Sequence, residues 1–82
     1  MINLLCTNVL CTNELFEHGV EIIKHHPTDV REAAKRISNL LSTYDRDDRL
    51  FLVAQMKNNK DVRGLKLEKE YFDTIFDKVT EQ

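Results

Sequence analysis

Between Asp29 and Tyr44 the residues Val30, Ala33, Ala34, Ile37, Leu40, Leu41 and Tyr44 are apolar, and every position among them is polar. At 3.6 residues per turn they fall within an arc of roughly 120°. The spacing predicts an amphipathic helix over 29–44. Its start is written locally. Asp29 suits the cap position, Glu32 three residues on is placed to reach back to the cap's own amide, and Pro27 stops any earlier helix from running through.

On either side of this stretch the pattern is less complete. The pentapeptide Cys6-Thr-Asn-Val-Leu10 is nearly repeated as Cys11-Thr-Asn-Glu-Leu15, and the spacing over 1–13 permits a short helix, the preferred reading, or an extended arm, because Thr and Asn disfavour helix interiors and favour helix starts. From Thr12 or Asn13 to about His25 a helix gathers Leu15, Phe16, Gly19, Val20, Ile22 and Ile23 on one face and Glu14, Glu17 and Glu21 on the other. An exposed Glu21–Lys24 pair and the His25-His26-Pro27 stop follow. The short connection to Asp29 then implies that these two helices pack antiparallel.

Asp45, Asp47 and Asp48 suit the first turn of a further helix running to Lys57, whose apolar residues Leu50, Phe51, Leu52, Val53, Ala54 and Met56 point all round the wheel. Lys57–Gly64 reads as the longest loop, with Asn58, Asn59 and Gly64 as turn signals. A last helix from about Lys66 to Thr80 places Tyr71, Phe72, Ile75, Phe76 and Val79 on one face, with Phe76 expected near the centre of the core. The fold class is therefore all-α. A single domain is expected over 1–82, as a compact bundle of four helices, or five if the N-terminal segment forms its own, with 29–44 packed on the preceding and last helices.

Composition agrees with a globular helical chain of 82 residues: 41% hydrophobic, 32% charged, two Gly and one Pro. No leader pattern stands at the N-terminus, and the longest apolar run, Leu50–Ala54, is far short of a membrane span. A protein that stays soluble where it is made is expected. The formal net charge of −2 argues against non-specific nucleic-acid binding. Charge is nevertheless uneven, with Lys57, Lys60, Arg63, Lys66 and Lys69 set against Asp61 and Glu68, followed by an acidic C-terminal stretch.

Candidate chemistry is sparse. Cys6, Cys11, His18, His25 and His26 are of the right types for zinc, but their spacing matches no standard ligand set, so free thiols and surface histidines are expected and no metal or cofactor. Asp47 and Asp48 are a carboxylate pair at an exposed helix start, without the pocket that acid–base work requires. No catalytic residue is assigned, and the chain is expected not to be an enzyme. The basic segment 57–69 is too widely spaced for one stripe and lacks interleaved aromatics before Tyr71, which disfavours nucleic acid.

The stronger surface signal is the helix around Leu50–Met56. If Leu50, Val53 and Ala54 face the core, Leu52 and Met56 lie opposite with Phe51 at the edge, an apolar centre rimmed by Lys60 and Arg63. The partner-binding set is then Phe51, Leu52, Met56, Lys60 and Arg63. The competing reading makes this the central helix, wrapped by the other three. A patch of that kind also serves a second copy, so a homodimer stays open.

Over its whole length the chain resembles the lysis-inhibition accessory proteins of T-even bacteriophages, the RIII-type antiholins. The opening Met1-Ile-Asn-Leu-Leu-Cys-Thr-Asn8, the central Asp29-Val-Arg-Glu-Ala-Ala-Lys-Arg-Ile37 and the closing Phe76-Asp-Lys-Val-Thr-Glu-Gln82 carry the likeness. It implies a cytoplasmic, non-enzymatic antiholin that binds the cytoplasmic part of a phage holin and delays host-cell lysis. It assigns no binding residue. The alternatives are an inhibitor of a host enzyme or transcription component, and a small nucleic-acid-binding regulator using 57–69.

Overall fold

The computed structural model describes the backbone of residues 2–81 and the side chains of residues 14–81. Five helices follow one another: α1 (Ile2–His25), α2 (Val30–Leu40), α3 (Arg46–Lys57), α4 (Lys60–Gly64) and α5 (Lys69–Thr80). No strand occurs among the described residues. The helical bundle expected from the pattern is the observed fold.

The N-terminal alternative resolves toward helix, and the cap expected at Thr12 or Asn13 is absent because α1 runs unbroken through both. Once a helix is nucleated, each further residue adds a hydrogen bond, and the few tenths of a kcal/mol lost at Thr or Asn do not stop it. The side chains of 1–13, Cys6 and Cys11 among them, lie outside the described residues.

Asp29 caps α2 as expected: the Glu32 amide donates to its Oδ1 at 3.3 Å. The reciprocal half of the capping box is not formed. The Glu32 carboxylate instead accepts from Arg36 Nε at 2.6 Å, a charge-assisted bond one turn along the helix. The helix also stops short of Tyr44. Leu41 closes it, its amide donating to the Ile37 carbonyl while the Ser42 amide donates to that of Asn39, and a turn carries Leu41 into the core and leaves Tyr44 half-buried against it.

Helix α2 packs against α1 and α5, the preceding and last helices, as the pattern predicts. Ala33, Ala34 and Ile37 are buried on it, and its most extensive contact is with α5, which contributes Tyr71, Phe72, Ile75 and Val79. The alanines hold this approach close, because a Cβ methyl lets two helix backbones come nearer than a branched side chain would. Phe76, expected at the centre, is only half-buried and packs on the core from outside, while Ile75 one residue earlier is fully enclosed. Val20 and Ile23 complete the core from the C-terminal half of α1.

The segment 57–64 is not one loop. Asn59 accepts from the amides of Asp61 (2.8 Å) and Val62 (3.2 Å), and this cap nucleates the single turn of α4, which drives Val62 into the core. The last helix begins at Lys69 rather than Lys66. Lys66 itself takes a φ of 55°, the left-handed conformation that ends a helix by turning the chain away.

Candidate functional site

Helix α3 is apolar all round, so the sequence pattern alone does not fix which of its faces is buried. Packed against α5, α1 and α4, it needs a wide apolar arc, and Leu52, Val53 and Met56 are the residues it buries. Leu50 and Ala54 are half-buried. The core-facing side is thus rotated by roughly a quarter turn from the expected Leu50–Val53–Ala54 face. Met56 is fully enclosed over Gly19 of α1, where a Cβ would come within 2.6 Å of its Sδ. Glycine supplies the notch that admits the thioether.

Two of the five residues expected at the contact surface are therefore core residues. Leu52 is 4% exposed and Met56 fully buried, so neither forms the centre of a surface patch. Phe51 is the opposite case, with 61% of its surface exposed, and Leu65 is exposed to a lesser degree. Together with Tyr44, Asp48 and the edge of Leu52, Phe51 lines a shallow cavity of about 240 Å³. Sequence reasoning missed Tyr44 and Asp48. Asp48 was within reach of it, since residues three apart on a helix are neighbours; Tyr44 was not, because its position depends on α2 ending early.

Lys60 and Arg63 are exposed on α4 but do not line the Phe51 cavity. The expected cationic rim is replaced by a carboxylate. The other cations of 57–69 are partly engaged: Lys57 Nζ lies 5.7 Å from the centroid of the Phe72 ring, and Lys69 pairs with Asp73 at 3.6 Å. Lys24 reaches both Glu21 (3.5 Å) and Asp61 (3.7 Å), tying α4 to α1. These exposed pairs orient more than they stabilise.

A larger, shallower groove of about 700 Å³ runs beside α1 and α4 and is lined by Glu14, Glu17, His18, Glu21 and Asp61 among others. His25 Nε2 lies 3.2 Å from Glu21 on the exposed side of α1. Among the described residues no three His, Cys, Asp or Glu are grouped so as to hold a metal ion, and no helix is long and apolar enough to cross a membrane. Tyr71 apart, no side chain bearing a polar or charged group is buried among the described residues. Comparison with family models, with curated proteins and with solved structures finds no match to the chain.

Proposed function

We propose that this protein is a small non-enzymatic regulator that acts by protein–protein contact through the Phe51 edge of α3, most concretely as an antiholin that binds the cytoplasmic part of a phage holin and delays lysis. One observation carries the contact reading. Among described residues that enclose fourteen apolar side chains, a large aromatic residue stands 61% exposed beside a cavity lined by Tyr44 and Asp48. Exposed aromatic surface next to a depression is the usual form of an energetic anchor at an interface. That this chain is an antiholin, and its partner therefore a holin, is supported by the resemblance of the sequence.

The test is an affinity pull-down from phage-infected lysate in mild detergent, with tagged wild-type protein and Phe51→Ser side by side. Holin recovered by the first and lost by the second supports the proposal. Holin absent from both removes the antiholin reading, and holin recovered equally by both removes Phe51 as the anchor.

The nucleic-acid reading has less support. Asp61 and Glu68 interrupt the basic segment, and Lys57 and Lys69 are already engaged within the chain.

A further inference from the structure

The Phe51 face has a charge as well as a shape. Asp47 and Asp48 stand four and three residues before Phe51, at helical positions to either side of it one turn back along α3, and Asp48 lines the cavity beside its ring; Ala54 and Gln55 hold the matching positions one turn later. Both aspartates are exposed, and neither is in an ion pair among the described side chains. The nearest cations in sequence are directed elsewhere. Arg46 lies roughly 140° round the helix from Phe51, and Arg49 roughly 160° round it. Arg49 is half-buried, with its Nε enclosed and without a hydrogen-bond partner.

We propose that this face receives a cationic amphipathic segment of the partner, an apolar side chain seating against Phe51 and Tyr44 while Lys or Arg on either side meets Asp47 and Asp48. The inference rests on the contact reading above and adds the chemistry of the partner to it. Charge complementarity is what selects the occupant. An apolar anchor alone accepts any hydrophobic side chain, whereas two carboxylates at its edge reject an acidic segment and favour a basic one. A second copy of this chain presenting the same face is disfavoured for that reason, since its own Asp47 and Asp48 would be brought against these.

The experiment uses the full-length protein and two synthetic helical peptides that share one leucine stripe, flanked by lysines in the first and by glutamates in the second. Binding is measured by fluorescence anisotropy at low salt, with circular dichroism as the check on folding. The lysine peptide is expected to bind at least about fivefold tighter, the worth of two exposed ion pairs. Asp47→Lys with Asp48→Lys should invert the preference, and Phe51→Ala should weaken both peptides. Equal binding of the two peptides, or a preference unchanged in the double lysine variant, would overturn the proposal. The same double variant separates this inference from the contact reading. If it still captures the partner that Phe51→Ser loses, the anchor stands and the charge selection fails; if Phe51→Ser captures that partner as well as wild type does, the anchor itself is wrong.

Discussion

The hydroxyl of Tyr71 donates a 2.8 Å hydrogen bond to the backbone carbonyl of His26, 45 residues away in sequence. It joins the first turn of α5 to the end of α1 at the corner where Asp29 starts α2. The ring beneath it is buried and meets Phe72 edge-on, with centroids 5.4 Å apart. Burial, and secondarily the carboxylate of Asp29, push the phenol from 10.0 up to about 12, because ionising it there would place a negative charge in apolar surroundings near another.

Tyr71→Phe should therefore cost about 1 kcal/mol at neutral pH, the net worth of one hydrogen bond. The pH dependence has a definite sign. Between pH 10 and 12 the folded chain keeps a proton that the unfolded chain releases, so the contribution of Tyr71 is complete below pH 10 and is lost as pH rises toward 12. By pH 11 the wild type should have lost roughly 1 kcal/mol through this group and drawn level with Tyr71→Phe. Urea unfolding of both proteins at pH 8 and pH 11 measures the gap; a constant difference would show that the phenol is not held neutral by the fold.

Gly19 and Met56 make a pair whose coupling is steric. A methyl group at position 19 would meet the end of the Met56 side chain, so Gly19→Ala is expected to destabilise by about 1 kcal/mol, overpacking outweighing the better helix propensity of alanine. Shortening the opposing side chain should reverse the sign. In a Met56→Val background the same Gly19→Ala change should stabilise by roughly 0.5–1 kcal/mol, since only the propensity gain remains. A double-mutant cycle by chemical denaturation reads the reversal directly, and additive effects would refute the contact.

The single turn of α4 hangs on the Asn59 side chain. Replacing it with Ala removes the acceptor for two amides and should cost about 1–2 kcal/mol, whereas Asn59→Asp, which keeps an acceptor at the cap, should cost little. Hydrogen exchange localises the effect. The amides of Asp61 and Val62 should lose protection in the alanine variant while those of α2 keep theirs.

These elements differ in how far the sequence exposes them, and for physical reasons. The α2 stripe and its Asp29 cap depend on neighbours within one or two turns, and local spacing is enough to find them. The helical class follows from the same periodicity. The face of α3 does not, because an element apolar on every side takes its orientation from what packs on it, and the Gly19 notch that receives Met56 is 37 positions away in the chain. That error moved Leu52 and Met56 from core to surface and, with them, the position of the contact site. Phe51 keeps its place at the surface, since the core-facing side of α3 is turned away from it rather than toward it.

The corrected facing of α3 is itself testable by pairing a surface aromatic with a core aliphatic. Phe51→Ala should change stability by no more than about 0.5 kcal/mol, because its ring is 61% exposed and leaves no enclosed volume behind. Ile75→Ala should cost roughly 2–5 kcal/mol, since its side chain is fully enclosed on α5 and its loss leaves a cavity in the core. Phe76→Ala should fall between the two, its ring packing on the core from the outside. Thermal and urea unfolding of the three variants orders them, and the order matters to function: a Phe51 variant that keeps full stability is the one in which any loss of partner binding belongs to the contact surface. Were Phe51→Ala instead as damaging as Ile75→Ala, the ring would be a core element and the surface assigned to α3 would have to be abandoned.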